Sequence, residues 1–157
     1  MVRTMDSASQ GQTSFPDLPG YVIRDEFLAG LRTRIYRGWS VKNQVPVLIK
    51  TPKSQTASFP DVTSLFYEYE IARDLELEGI AKIIELVSVG TTLAIILEDT
   101  GAIPLAQYIG DKAVRIRDFL DIALHLVETL ARLHQSGIVH RNISDESILV
   151  HPKTKRV

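Results

Sequence analysis

Short apolar runs separated by polar segments dominate the first third of the chain and predict three strands. The runs are Tyr21–Ile23, Arg34–Tyr36 and Val45–Lys50. Their lengths and their β-branched and aromatic residues are typical of strands, and the polar, glycine-containing segments between them are short enough for hairpins. We therefore expect the ordered part of the chain to open with a three-stranded antiparallel meander.

A helical pattern follows, because apolar residues recur every three or four positions between residues 60 and 75. Pro60 and Asp61 suit its first turn, where proline has no hydrogen bond to lose and an acidic group meets the positive end of the helix dipole. After it, the runs Ile83–Val89 and Leu93–Leu97, separated by a segment containing Gly90, predict a hairpin. The apolar positions of the helix are Val62, Leu65, Phe66, Tyr69, Ala72 and Leu75.

Glu68 lies on the apolar stripe of this helix, three residues after Leu65 and four before Ala72. A carboxylate in that position is costly unless it finds a partner. One interpretation is a residue at the edge of the helix that reaches water. The other is an ion pair with Lys50, which closes the third predicted strand and otherwise reads as an ordinary solvated strand end.

The second half of the chain is predicted to be mainly helical. Leu105–Ile109 reads as a short helix, and apolar residues at helical spacing between Phe119 and Leu133 give the clearest helix of the sequence, with Gly137 as its C-terminal cap. Residues 98–104 read as a polar connector, and Ile148–Val150 as a last short strand. A mostly antiparallel sheet with one helix, followed by a helical region, is an α+β pattern.

Composition excludes several classes of protein. The chain has 157 residues, of which 45% are hydrophobic and 24% charged, with a net charge of −1 and no cysteine. These values argue against wholesale disorder, a disulfide scaffold, a cysteine-ligated metal site and a nucleic-acid partner. The longest apolar run, Leu93–Leu97, is far shorter than the roughly 18 residues of a membrane span. Residues 1–18 lack the apolar core of a signal peptide, so we expect a flexible lead-in and a cytoplasmic protein.

Three pieces of the sequence carry a resemblance to the protein kinase superfamily, and they occur in the expected order. Val47–Lys50 is similar to the strand motif that ends in the lysine of the nucleotide phosphates, and Glu68 falls where the next helix carries the ion-pair partner of that lysine. Leu97–Gly101 resembles the gatekeeper and the hinge that holds adenine through its backbone. His140–Val150 resembles the catalytic loop and the strand after it.

The resemblance implies a fold and a set of site residues. Residues 19–98 would form a kinase-like N-lobe, a five-stranded antiparallel sheet with one helix. Residues 99–157 would form the hinge and the start of an incomplete helical C-lobe. The implied cofactors are ATP and Mg²⁺. The sequence itself predicts no set of metal-ligating residues. The implied nucleotide-binding residues are Lys50, Glu68, Gly30, Ile35, Leu97, Glu98 and Thr100, and the implied catalytic-loop residues are Asn142, Ser144 and Ser147.

Several positions depart from the kinase pattern. Of the three glycines of the phosphate loop only Gly30 is present, and Arg32 and Arg34 could supply positive charge in their place. Asn142 occupies the position of the general-base aspartate, and its amide cannot accept a proton as a carboxylate does. Ser144 occupies the loop-lysine position, and Ser147, a poorer magnesium ligand, the position of the metal-binding asparagine.

Three functions therefore stay open. The first is an ATP-binding regulatory module that transfers phosphate poorly. The second is part of an active Ser/Thr protein kinase, and the third an interaction scaffold that has lost ATP. The chain also resembles the kinase-like domain at the N-terminus of large bacterial sensor histidine kinases, and we expect a fragment that ends before the D-F-G segment. Its expected partners are a nucleotide and other modules of a larger signalling protein or a partner protein, without nucleic acid or membrane.

Overall fold

The computed structural model describes residues 17–54, 58–90, 92–110 and 114–157. The flexible segment predicted for residues 1–18 therefore falls almost wholly outside the described residues. Leu18, its last residue, does not behave as part of a flexible lead-in. It is only 3% exposed and packs in a hydrophobic cluster with Tyr36 and Val47, so the packed domain begins before residue 19.

Five antiparallel strands form the main sheet, in the order β1-β2-β3-β5-β4. Helix α1 lies between β3 and β4 in the chain. This arrangement confirms the predicted meander, the helix after it, the hairpin and the α+β class. The bounds are β1 Tyr21–Ala29, β2 Thr33–Ser40, β3 Val45–Pro52, α1 Phe59–Ala72, β4 Ile83–Val89 and β5 Thr92–Glu98.

The first two strands are longer than their apolar runs predict. Arg24, Asp25 and Glu26 continue β1 although they are polar, because β1 is an edge strand and these three side chains face solvent. The register shifts between Ile23 and Asp25, and again after Glu26, so β1 follows β2 through two irregularities. A period of two is hard to recognise in a strand with such bulges.

The central strand β3 is buried on both faces, which is why its apolar run is continuous. Val47 and Ile49 pack on one face with the cluster around Tyr36, while the other face meets α1 through a second cluster of Leu65, Ile83 and Ile95. Both Val47 and Ile49 are fully buried. The sheet therefore has an apolar cluster on each face, and β3 contributes Val47 and Ile49 to the one opposite α1.

The sheet is strongly curved, since its two edge strands meet. The hydroxyl of Tyr21 on β1 donates a hydrogen bond to the carboxylate of Glu85 on β4. The cluster that contains Tyr36 lies inside this curve, with Tyr21, Ile23 and Val87 packed against it. Curvature thus encloses one core, and α1 covers the other face.

A second, two-stranded sheet begins the region after the hinge. Its strands β6, Ile103–Pro104, and β7, Leu149–Val150, are antiparallel. The polar connector predicted for residues 98–104 therefore ends in a strand. The sequence gives no signal for β6, because a strand of two residues shows no periodicity and its partner β7 lies far along the chain. Between these strands lie α2, Leu105–Ile109, and α3, Ile116–Gln135.

Helix α3 begins earlier than predicted and ends as predicted. Gly137 has a φ of +76°, and its N–H bonds to the carbonyl of His134 while the N–H of Ile138 bonds to that of Leu133. These two bonds form a Schellman motif, which satisfies the last carbonyls of the helix. The predicted role of Gly137 as the C-terminal cap is confirmed.

The apolar face of α3 is only partly covered by the described residues. Ile122 and Leu133 are buried as predicted, but Phe119 is 56% exposed and Val127 63%. Thr129, which was not assigned to this face, is buried instead. It lies against Gly79, in the connection between α1 and β4, where an added Cβ would come within 2.2 Å of the Thr129 hydroxyl oxygen.

Within the described ranges, no helix is both long enough and apolar enough to cross a membrane.

Candidate functional site

The ion pair between Lys50 and Glu68 joins β3 to α1. The Nζ atom of Lys50 lies 2.6 Å from Oε1 and 2.7 Å from Oε2 of Glu68. The lysine side chain is 20% exposed and the glutamate side chain 44%. Of the two interpretations of Glu68, the structure therefore supports pairing. An ammonium group has three protons, so one remains to bind a further acceptor.

The residues around Lys50 share one face of the sheet. In the register of the strands Lys50 lies between Ile35 on β2 and Ile95 on β5, while Leu48 lies beside Leu97. Directly paired residues of antiparallel strands point to the same face. This face is also the one that α1 covers, so the lysine stands at the border between a packed apolar core and the open side of the sheet.

The turn between β1 and β2 holds the remaining glycine of the phosphate-loop pattern. The N–H of Gly30 donates to the carbonyl of Thr33 at 2.9 Å, which closes a tight turn with Leu31, 96% exposed, at its tip. A Cβ at position 30 would lie 3.3 Å from that same carbonyl oxygen. The backbone N–H of Gly30 is thus already used within the turn.

Both arginines near this turn bind acidic side chains of the domain. Arg32 donates from Nη2 and Nε to one carboxylate oxygen of Asp61, at 2.7 and 3.0 Å, and the Ser58 hydroxyl donates to the other oxygen. These bonds, first from Ser58 and then from Arg32, lower the pKa of Asp61. Arg34 pairs with Glu26 at 3.2 Å. Both guanidinium groups are therefore paired with carboxylates of the domain. This pairing argues against the expectation that they supply positive charge for a phosphate.

The predicted gatekeeper and hinge, Leu97–Gly101, lie where β5 ends. Leu97 is half-buried beside Leu48, and Glu98, which is exposed, donates its backbone N–H to the carbonyl of Lys82. The carboxylate of Asp99 accepts the N–H of Gly101 at 2.8 Å, so the segment turns sharply. Thr100, between them, is exposed.

The loop that contains the three predicted catalytic positions bonds mainly to itself. The hydroxyl of Ser147 donates to the backbone carbonyl of Asn142 at 2.9 Å and accepts the N–H of Ser144 at 2.8 Å. The hydroxyl of Ser144 in turn accepts the N–H of Ser147 at 3.1 Å. Asn142 is exposed, and the residue before it, Arg141, has a left-handed φ of +61°.

A family model of the protein tyrosine and serine/threonine kinases matches residues 22–157. The chain belongs to the protein kinase family. Among curated proteins, this kinase domain is 28% identical over 134 residues to MAP3K epsilon protein kinase 1 of Arabidopsis thaliana, which covers 82% of the chain and 10% of the relative. It is 26% identical over 133 residues to tyrosine-protein kinase Srms of Mus musculus, covering 83% of the chain and 26% of the relative. The chain thus spans a tenth to a quarter of these relatives.

Protein kinases use ATP and a divalent metal, and the two fit this kinase domain unequally. The third ammonium proton of Lys50 fits a phosphate, and the exposed residues Glu98 and Thr100 lie where the family pattern holds adenine, although the backbone N–H of Glu98 is already bonded to Lys82. The residues do not fit Mg²⁺, because the Ser147 hydroxyl is committed to the backbone of its own loop. No cluster of three or more His, Asp or Glu side chains that could hold a metal occurs in the part of the chain that the structure describes.

Two small cavities of the kinase domain lie away from Lys50. One, of about 180 Å³, opens at the end of the curved sheet beside Tyr21 and Glu85. The other, of about 170 Å³, lies beside α3 and is lined by Gly79, His125 and Arg132 among others. Neither of these two cavities is lined by Lys50 or by Glu68.

Sequence reasoning missed one residue that the structure connects to the hinge. The guanidinium of Arg37 on β2 donates to Asp99 and to the backbone carbonyl of Ala102. An arginine in a strand has many uses, and no local pattern links it to an acidic residue 62 positions later. The weak signal available was that Arg37 follows Ile35 by two residues and so shares its face of the strand.

Proposed function

We propose that this kinase domain binds ATP and acts as a regulatory module with impaired phosphate transfer. The observation that carries the proposal is the Lys50–Glu68 ion pair, in which the carboxylate holds the ammonium by two contacts of 2.6 and 2.7 Å. An ammonium fixed in this way can bind the α- and β-phosphates of a nucleotide. The hinge backbone at Glu98 and Thr100 would hold the base.

Two residues of the predicted catalytic loop support the impairment. Asn142 carries an amide where the family pattern has a carboxylate, and general-base assistance contributes typically 10²–10⁴-fold to a rate. Ser147 offers only a hydroxyl, and that hydroxyl already bonds to the backbone at Asn142 and Ser144. Both losses act on transfer of the phosphoryl group, whereas the contacts proposed for ATP lie on β3 and in the hinge. We propose that other modules of a larger signalling protein, or a partner protein, respond to the bound nucleotide.

Nucleotide binding is tested by thermal and urea unfolding of the chain with and without ATP. At 100 times its Kd, ATP adds about 2.7 kcal/mol to the free energy of unfolding. We expect this gain for the wild type and its loss in Lys50→Met. Lys53→Met, at an exposed lysine just after the same strand, is the matched control and should keep the gain. A folded wild type that ATP does not stabilise would favour a scaffold.

Phosphate transfer is tested separately, with radiolabelled ATP and casein as a generic acceptor. We expect the wild type to transfer no more label than Lys50→Met, because the amide at position 142 removes the general base. Transfer by the wild type that Lys50→Met abolishes would contradict the impaired reading and favour an active kinase. Asn142→Asp measures the missing carboxylate directly, since it restores the group without touching Lys50.

A further inference from the structure

Arg37 makes three contacts that meet at the base end of the candidate site. Its Nε donates to Asp99 at 3.1 Å and its Nη2 to the carbonyl oxygen of Ala102 at 2.6 Å. The guanidinium carbon lies 4.3 Å from the centre of the Phe27 ring. One side chain of β2 therefore contacts β1 and both ends of the segment 99–102.

The contacts of Arg37 are well shielded from solvent. Its side chain is 28% exposed, and that of Asp99 only 9%. Charge-assisted hydrogen bonds are stronger than neutral ones, and stacking on an aromatic ring holds the plane of the guanidinium. By comparison, the Arg32–Asp61 pair at the other end of the sheet is 63% and 25% exposed. Arg37 thus occupies a fixed position rather than a solvated one.

The segment that Arg37 holds is short and turned. The second oxygen of Asp99 accepts the N–H of Gly101, whose φ of +78° lies in the left-handed region. Arg37 fixes the turn at its start, through Asp99, and at its end, through Ala102. Strand β5 fixes Glu98 immediately before it, and strand β6 begins immediately after it. The backbone between Glu98 and Ala102 therefore has little freedom.

We infer that Arg37 is a positioning residue for the base of the nucleotide. It acts through Asp99 and Ala102, which it holds so that the backbone at Glu98 and Thr100 is already in place when a ligand arrives. Preorganisation of this kind raises affinity by reducing the ordering cost of binding. The inference rests on the proposed function, since it names how that site would select its base.

The inference separates the two ends of the nucleotide. Lys50 lies on β3 opposite Ile35, whereas Arg37 lies opposite Leu48, two positions further along. Losing the hold on the turn should therefore weaken binding of the base and leave binding of phosphate unchanged. If Arg37 only stabilised the fold, its loss would instead weaken binding of the base and binding of phosphate equally.

The test measures dissociation constants by calorimetry for ATP, adenosine and inorganic tripolyphosphate. The variants are Arg37→Lys, which keeps the charge but loses the fork, and Asp99→Asn, which keeps the shape of the turn residue. Arg24→Lys is the matched control, because Arg24 also stacks on an aromatic ring, 5.4 Å from the centre of Trp39. Circular dichroism checks that each variant is folded. If Arg37→Lys does not fold, the binding constants of Asp99→Asn alone test the inference.

We expect both variants to bind adenosine and ATP about tenfold more weakly, the loss of roughly one charge-assisted hydrogen bond. Tripolyphosphate should bind within about twofold of the wild type, and Arg24→Lys should change none of the three. Equal weakening of all three ligands, or unchanged binding of adenosine, overturns the role of Arg37 and leaves ATP binding standing. A wild type that binds none of the three ligands overturns the proposed function and this inference together.

Discussion

The two parts of the molecule on either side of the hinge differ in how they treat apolar side chains. In the sheet part, Ile49, Ile95 and Ile96 are completely buried, Ile95 on the face that α1 covers and the other two inside the curve of the sheet. In the part after the hinge, α3 leaves Leu124 61% and Val127 63% exposed. Apart from Ile122 and Leu133, the large apolar side chains of α3 are therefore less covered than those of the central strands, among the residues described.

Polar groups show the same contrast. In the sheet part, ion pairs such as Lys50–Glu68 connect different secondary-structure elements. In the loop after α3, the hydroxyls of Ser144 and Ser147 bond to backbone only a few residues away. A site built from contacts between elements is held in place by the fold, and this difference supports the separation of nucleotide binding from transfer that we propose.

The largest expected effect comes from deleting buried volume in the sheet part. Ile95→Ala should lower the free energy of unfolding by about 2–5 kcal/mol, because it removes buried methyl groups and leaves a cavity. Leu124→Ala should change it by less than about 0.5 kcal/mol, since that side chain is mostly in solvent. Urea unfolding followed by circular dichroism measures both. Similar losses for the two variants would erase the contrast between the parts.

The next effect concerns the contact where the two parts meet. Gly79 has a φ of +90° and its missing side chain makes room for Thr129 on α3. Gly79→Ala should cost about 2–4 kcal/mol, from backbone strain and from the clash. Gly90→Ala is the control, because Gly90 has a φ of +57° but nothing within 4 Å, so only the strain, about 1 kcal/mol, applies.

A second variant identifies the source of the cost at position 79. Combining Gly79→Ala with Thr129→Ala should recover the steric share in urea unfolding and leave the backbone share. If Gly79→Ala costs no more than Gly90→Ala, the two parts do not meet as closely as the structure places them.

The smallest effect concerns the closure of the curved sheet. Burial, and then the hydrogen bond to Glu85, raise the pKa of Tyr21 to about 12. Because the folded state holds this proton more tightly than the unfolded chain, the stabilisation is complete below pH 10 and is lost as the pH rises through 12. Tyr21→Phe should remove this part of the alkaline pH dependence.

An ultraviolet titration of tyrosinate, with the wild type compared to Tyr21→Phe, measures the pKa of Tyr21. Tyr67→Phe is the control, since Tyr67 is 62% exposed on α1. The ionisation step that Tyr21→Phe removes is expected near pH 12. If the step that disappears lies near pH 10 instead, the edge strands β1 and β4 do not meet in solution.

Much of the sheet part could be predicted from the sequence because its signals are local. The continuous apolar run of β3 and the helical spacing around Leu65 are each visible within a few residues. The polar stretch from Arg24 to Glu26 hid the length of β1, because an edge strand needs no buried face there. Strand β6 was invisible because its pairing with β7 is decided by residues nearly fifty positions away.

The candidate site was predictable to the same extent. Lys50 and Glu68 could be paired because a carboxylate on an apolar stripe needs a partner, and a lysine at the end of an apolar strand can supply one. The partners of Arg32 and Arg37 could not be found, because an arginine side chain is long and its acidic partners lie 29 and 62 residues away. The other assigned nucleotide and catalytic roles stay predictions until ligands are measured.

The pairing of β6 with β7 has a consequence for the order of folding. The strand pairs Ile103 with Val150 and Pro104 with Leu149 close a loop that contains both α2 and α3, and backbone hydrogen bonds from Leu105 to Ile148 and from Ala106 to Asp145 extend this closure. Bringing distant ends together costs chain entropy before any contact repays it. We therefore expect this small sheet to assemble late, after α3 has shortened the path between its strands, and its amide protons to exchange early when the domain opens.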